Sequence, residues 1–313
     1  MAVPALPPAL PADAFDLTTA AGRIRVYRAQ PSAPAQAASA PGGWPPLLLV
    51  HSVNAAASAA EVAPLFARYR QDRLVYALDL PGYGHSDRSD RDYTPRMMTD
   101  AVAAVIAHMR EREQVDAVDV VAVSLGCEFA ARAQTEAPAS IRRLALVSPT
   151  GLRGGQRRDG PPGGTLGVPW LYRFFTRPRW ADGIFRTLTR PGVIRYFLRR
   201  TWGSRVIDED LWRYAVITTQ QPGARHAPFR FVSAYLFSRD IHTVFKAVSC
   251  PVWVSMATRG DFTDYRGRSV LQAHPNWEFH AVPGGALPYF EPGSDFVALL
   301  DRFWAGPRTT ALH

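Results

Sequence analysis

The chain has 313 residues, 47% of them apolar, which is enough for one large core or two modest ones. No apolar run approaches the ~18 residues of a membrane span, and the two cysteines, Cys127 and Cys250, lie far apart without metal-like Cys/His spacing, which speaks against a disulfide framework or a zinc site. The formal charge of +9 gathers between Arg153 and Arg205, where twelve arginines face only Asp159 and Asp182. Such a patch suits anionic lipid (a weak membrane contact), an acidic partner or a carboxylated substrate, although a solvated, salt-bridged face is the commoner reading. No nucleic-acid-binding motif accompanies it, so nucleic acid is not expected as a partner.

Met1 to Pro11 is rich in Ala and Pro and lacks the basic start and long apolar centre of a secretory signal; it reads as a loose arm of a cytoplasmic protein. Phe15 to Thr19, an Ala21-Gly22 turn and Arg23 to Arg28 alternate as an antiparallel hairpin does. Gln30 to Pro46, with its Pro, Ala and Ser, predicts a loop. Leu47-Leu48-Leu49-Val50 has the continuous apolar character of a buried parallel strand, opening into His51-Ser52-Val53-Asn54. A helix is expected near Ser58 to Arg70, then a strand over Leu74 to Asp79 that Pro81-Gly82-Tyr83-Gly84 breaks. Met98, Val102, Val105, Ile106 and Met109 keep helical spacing.

Asp119 to Val123 is a β-branched, apolar run that ends abruptly in Ala122-Val123-Ser124-Leu125-Gly126, followed by a helical pattern from Glu128 to Ala133. A strand turning tightly into a helix forces the turn residue toward a strained backbone. It also lifts the Ser124 hydroxyl clear of the sheet, beside the amides of a helix N-terminus. Those donors are what a nucleophilic serine needs when an oxyanion forms after attack. The small neighbours Ala122 and Gly126 let the turn close. The plainer alternative is an ordinary strand-to-helix turn in which Ser124 serves as an N-cap.

Arg143 to Val147 predicts another strand, after which the strand-helix rhythm stops. From about Pro149 to Ala247 the chain is punctuated by Gly and Pro and rich in aromatic and basic residues, consistent with several short helices covering one edge of the sheet. Strands resume at Val252 to Ala257 and near Trp277 to Val282, and Phe296, Leu299, Leu300 and Phe303 share one face of a last helix. The expected class is α/β with a mostly parallel central sheet and helices on both faces. The expected organisation is a core in two parts, 1–148 and 248–313, with a helical lid insertion at 149–247.

Five blocks in order carry a resemblance: Leu-Leu-Leu-Val-His51, Asp79-Leu-Pro-Gly-Tyr-Gly-His-Ser86, Ala122-Val-Ser124-Leu-Gly126, Pro251-Val-Trp-Val, and Pro283-Gly-Gly-Ala-Leu-Pro288-Tyr-Phe-Glu291. From about Phe15 to Trp304 the chain resembles the α/β-hydrolase superfamily, in its lidded branch of esterases, lipases and carbon–carbon bond hydrolases. The resemblance implies a cofactor-independent enzyme with Ser124 as nucleophile and the backbone amides of Leu125 and Val53 as oxyanion donors. The family usually has His-Gly where this chain has His51-Ser52. The resemblance also implies a triad acid after the strand ending near Met256. Asp261 is the first choice and Asp264 the fallback, and a purely structural Asp261 capping the next helix stays open.

Where the family carries the triad histidine, in a Gly-His-x-Pro turn, this chain reads Gly285-Ala286-Leu287-Pro288. Ala286 occupies the histidine's place and cannot accept a proton, whereas a serine hydroxyl needs an adjacent base to be a useful nucleophile. Three readings remain open: Ala286 substitutes a natural histidine, another base is recruited, or hydrolysis has been lost in favour of binding or of chemistry without an acyl-enzyme. The other histidines are His51, His85, His108, His226, His242, His274, His280 and His313, and for each a structural role is the stronger reading. Glu128, one turn into the helix after Ser124, reads as a supporting or exposed residue.

The aromatic lid residues suit an apolar substrate pocket between lid and sheet, or simply glue the lid to the core. The leading functional reading is a serine hydrolase of an ester or related acyl bond of a small, largely apolar substrate. The rival is a ligand-binding or lyase-type relative that uses the oxyanion hole without acylation. Dehalogenase and epoxide hydrolase chemistry is disfavoured, because those relatives place Asp at the elbow.

Overall fold

The computed structural model describes residues 4–32 and 44–306. Its frame is one eight-stranded sheet in the order β1-β2-β4-β3-β5-β6-β7-β8. The strands are β1 (Asp13–Thr19), β2 (Gly22–Ala29), β3 (Leu47–Val50), β4 (Val75–Leu78), β5 (Val118–Val123), β6 (Ile141–Val147), β7 (Val252–Ala257) and β8 (Trp277–Val282). β1 and β2 form the expected hairpin and β2 runs antiparallel to β4. All remaining neighbours, from β4 through β3, β5, β6 and β7 to β8, are parallel. The fold class expected from the sequence is the one observed.

Because successive strand residues point to opposite faces, the run of apolar residues in β3 and β5 feeds two cores. Leu48, Val50, Val120 and Ala122 face one core, together with Met98, Val102, Val105, Ile106 and Met109 of a long helix. Leu47, Leu49, Val121 and Val123 face the other, with Leu65, Phe66, Phe296, Leu300 and Phe303. The helices supplying these stripes are α1 (Ala63–Tyr69), α2 (Pro95–Glu113) and α10 (Phe296–Ala305), while α3 (Gly126–Glu136) follows β5. Thr94 caps α2 by accepting from the Met97 amide, Pro95 opens it, and Gln114 closes it in the left-handed region. The segment expected as one helix from Ser58 to Arg70 divides into a 3-10 turn (Ala59–Val62) and α1, with Pro64 at the junction.

Between β6 and β7 lie six helices: α4 (Pro169–Phe175), α5 (Ala181–Leu188), α6 (Pro191–Trp202), α7 (Glu209–Thr219), α8 (His226–Val232) and α9 (Ile241–Ala247). They meet loops that follow the parallel strands at their carboxyl ends. Arg88, after β4, donates to the Thr218 carbonyl, Arg158, after β6, donates to the Ser238 carbonyl, and the Ala286 amide, after β8, donates to the Thr201 carbonyl.

The N-terminal arm is also corrected. Leu10 is buried, the Pro7 carbonyl accepts from the Tyr214 hydroxyl on α7, and His85 Nε2 lies 2.9 Å from the same oxygen. Residues 4–11 therefore bind across core and helical segment instead of hanging loose. Among the described residues, no helix is long and apolar enough to cross a membrane.

Candidate active site

β5 is buried along its whole length between β3 and β6, and at its end the chain reverses into α3 through Ser124. Ser124 has φ 51°, a left-handed conformation that costs a non-glycine residue about 1–2 kcal/mol. Its amide donates to the Val147 carbonyl at 2.8 Å, which anchors the turn to the end of β6. Its side chain is half-buried and makes no hydrogen bond among the described residues. The turn closes because residue 126 is glycine: a Cβ there would lie 2.5 Å from the His51 carbonyl oxygen. The start of α3 thus presses against the loop after β3, which is how the elbow and that loop come together.

That loop is held from several sides. The Leu80 amide donates to His51 Nε2 at 2.9 Å, so the ring proton sits on Nδ1 and points to the Ser52 carbonyl at 2.5 Å. His51 is fully engaged and structural. Buried Glu61, which the sequence reading did not single out, accepts from the Ser52 amide and the Asn54 side chain at 3.0 and 2.6 Å. Tyr289 in turn donates to the Glu61 carbonyl. The amides of Val53, in this loop, and of Leu125, in the elbow, have no acceptor among the described residues.

The third element is the turn after β8. Ser148, just past β6, donates its hydroxyl to the Ala286 carbonyl at 3.0 Å, and the Ser148 amide donates to Ser255 of β7. Ala286 is therefore two hydrogen-bonded steps from Ser124, through Val147 and Ser148. It is buried and offers only a methyl group. Gly285 beside it has no room for a side chain, since a Cβ would meet the Trp202 carbonyl oxygen at 2.4 Å. The end of α6 packs backbone to backbone on this turn.

Asp261 lies in the loop after β7, which joins the same turn: the amides of Thr258 and Arg259 both donate to the Gly284 carbonyl. Its carboxylate, however, is gripped by Arg200 of α6 through Nε and Nη2, at 2.6 and 2.9 Å. Asp264 is engaged as well. Hydrogen bonds from the Arg266 guanidinium and amide, with the Gly154 amide, hold its carboxyl well below the usual range. Neither acid is bonded to a histidine.

No histidine among the described residues takes up the missing role. His108 stacks on Phe15 at 5.3 Å, His226 lies 3.2 Å from Asp90, and His280 stacks on Trp253 at 5.7 Å and meets Glu278. His242 is buried, its Nδ1 accepting from the Arg158 amide and its Nε2 facing the Gly151 carbonyl. His85 is held by the N-terminal arm, His274 is peripheral as expected, and His313 lies outside the described residues.

Of the two expectations for Glu128, the supporting role fits and the exposed one does not. It is fully buried, paired with Arg158 at 2.8 Å, and it accepts from the Thr150 hydroxyl and the Ser238 amide. One ion pair thus ties the helix behind the elbow to the segment between β6 and β7. A cavity of about 620 Å³ opens beside this network, lined by Ser148, Thr150, Arg158, Phe237, Asp261 and Tyr265 among others. Ser124 is not part of its wall, but its carbonyl accepts from the Thr150 amide at 3.4 Å. No cluster of potential metal ligands occurs among the described residues.

A family model described as the alpha/beta hydrolase fold matches residues 45–197. No curated protein matches the sequence. Among solved structures, the epoxide hydrolase CorEH superposes with a TM-score of 0.67 at 19% identity, covering 93% of this chain and 98% of that one. The 2-hydroxy-6-oxo-6-phenylhexa-2,4-dienoate hydrolase from Rhodococcus sp. strain RHA1 gives 0.67 at 14% identity, covering 94% and 99%. The carboxylesterase CesB from Bacillus subtilis gives 0.64 at 16% identity, covering 95% and 93%. At such identities the likeness is one of fold.

Proposed function

We propose that this chain, a member of the α/β-hydrolase superfamily, is a serine hydrolase that cleaves an ester or related acyl bond of a small, largely apolar substrate without an imidazole base. The observation that carries the reading is the left-handed Ser124 at the end of β5, in a turn packed against the loop that holds Val53. A left-handed serine is costly, and such strain concentrates where geometry serves function.

In this account the Ser124 oxygen attacks the acyl carbon, and the amides of Leu125 and Val53 receive the negative charge that develops on the carbonyl oxygen. The helices between β6 and β7 act as the lid over the apolar part of the substrate. With alanine at 286, the serine proton passes to solvent or to the leaving group. Acylation is slow, and so is deacylation, because the same base would activate the water. Oxyanion donors and binding alone sustain about 10³–10⁴-fold catalysis over water. Epoxide opening is not the reading, despite the shared fold with CorEH, because Ser124 stands where relatives with that chemistry place Asp.

A second reading is favoured by one observation: Asp261 is paired with Arg200, not poised toward Ala286. It holds that the site binds a ligand, or works through the oxyanion donors without forming an acyl-enzyme. An activated ester followed by intact-mass spectrometry separates the two. A covalent acyl adduct on Ser124 that outlasts mixing supports slow serine hydrolysis. Tight ligand binding with no adduct and no burst supports the second.

A further inference from the structure

The charge excess is concentrated in a stretch that the proposed chemistry does not use. Residues 169–206 contain nine arginines and one carboxylate, Asp182. Asp182 pairs with Arg225, Arg195 pairs with Glu209, and Arg200 pairs with Asp261. Among the described residues, Arg173, Arg177, Arg179, Arg186, Arg190, Arg199 and Arg205 have no carboxylate within ion-pairing distance. A salt-bridged solvated face therefore does not describe this surface.

The same three helices leave large apolar rings in solvent. α6 turns Ile194, Leu198 and Trp202 inward at a spacing of four, which places Tyr196 and Phe197, beside Arg199 and Arg200, on the outer face. Phe197 is 55% exposed. α4 buries no residue at all, and Trp170, four residues before exposed Phe174, is 68% exposed. Phe174 packs against Phe175 and Trp180, and the Arg177 guanidinium lies 5.3 Å from the Trp180 ring centroid. Beyond α6, Val206 is 79% exposed. Tyr172 and Phe175 of α4 share one small cluster with Phe185 of α5, so α4 and α5 pack together, and α6 follows α5 directly in the chain.

Exposed Trp, Phe and Tyr interleaved with unpaired arginine on short amphipathic helices match the interfacial zone of a bilayer, where rings enter the headgroup layer and guanidinium groups meet lipid phosphates. We propose that the outer face of α4, α5 and α6 docks on a membrane surface carrying anionic lipid. Lipid is favoured over nucleic acid because exposed Val206 adds aliphatic area on which no base stacks, whereas a bilayer buries it. The contact is peripheral: the arginines supply long-range attraction, screened by salt, and the rings supply the short-range term.

The test is flotation of the full chain with vesicles of mixed phosphatidylglycerol and phosphatidylcholine, and with pure phosphatidylcholine. Binding to the mixed vesicles that fades with added salt, and little binding to the neutral ones, is expected. Arg179→Glu with Arg186→Glu should weaken partition at least about tenfold. Trp170→Ser with Phe197→Ser should weaken it while leaving its salt dependence in place; these side chains are exposed, and circular dichroism verifies the fold. Equal binding to neutral vesicles, or no binding to either, overturns the proposal. So does binding that survives both double variants. A single-stranded oligonucleotide that binds and displaces the vesicles, or a self-association that the variants abolish, assigns the surface to another occupant.

Discussion

Arg200, at the end of α6, holds both carboxylate oxygens of Asp261 through two guanidinium nitrogens and donates through Nη1 to the Tyr196 hydroxyl at 2.8 Å. The pair is exposed to solvent and therefore contributes little to stability by itself. Its consequence is directional: the carboxylate of Asp261 is turned toward α6. Ala286→His should raise turnover of an activated ester by about 10²–10⁴-fold, and adding Arg200→Met should raise it further by freeing Asp261. An unchanged rate for folded Ala286→His would remove position 286 as the seat of a base. A lower rate for the double variant would show that Arg200 orients the acid and does not divert it.

Ser124→Gly should stabilise the fold by about 1 kcal/mol, because glycine adopts the left-handed conformation without the steric penalty. Urea unfolding of the two chains measures this directly. A less stable Ser124→Gly protein would mean that the elbow is not strained at that residue, and the inference from strain to function would lose its footing.

The Glu128–Arg158 pair is buried, so removing one partner leaves a charge without compensation. Arg158→Met should cost about 3–5 kcal/mol. Glu128→Leu combined with Arg158→Met should recover part of that loss but not all, because the Thr150 hydroxyl and the Ser238 amide then lose their acceptor. Thermal unfolding of the single and double variants distinguishes this from a purely local effect, in which the losses would simply add.

Acid sensitivity should trace in part to Glu113, at the end of α2. Burial pushes its carboxyl up, but hydrogen bonds from Arg28 and Tyr76 outweigh that and hold it below the usual range. A carboxyl with a depressed folded pKa adds stability above its unfolded value of about 4.3 and loses it as pH falls through the lower folded value. Stability should therefore decline on acidification below about pH 4.3. Glu113→Gln should lower stability at neutral pH and flatten that decline. Identical acid limbs in urea titrations of both chains would assign the sensitivity elsewhere.

Features that depend on local pattern were legible in the sequence. The β5 run, the small residues around Ser124 and the helix behind it specify the elbow within a few residues, and Gly126 proves necessary for contact with the His51 loop. The block around Ala286 marked that residue as standing where the resembled family has its histidine, and the fold sets it two hydrogen-bonded steps from Ser124. Pairings between distant segments were not legible. Arg200 and Asp261 are 61 positions apart, and Arg158 reaches Glu128 across 30. Arginine is abundant enough in this chain that composition cannot say which one meets which carboxylate. The N-terminal arm misled for a related reason: Ala and Pro suggest looseness, while its anchoring comes from carbonyl oxygens, which every residue has. Glu61 escaped notice because its partners, the Ser52 amide and Asn54, are brought to it by the fold of the loop.

The central claim is that Ser124 is a nucleophile. A fluorophosphonate probe reacts with a serine that is raised toward solvent and flanked by oxyanion donors, and peptide mass spectrometry locates the adduct. The account predicts slow, stoichiometric labelling on Ser124 that Ser124→Ala abolishes and Ala286→His accelerates by orders of magnitude. No adduct on Ser124 after prolonged exposure, in this chain and in folded Ala286→His alike, would contradict it.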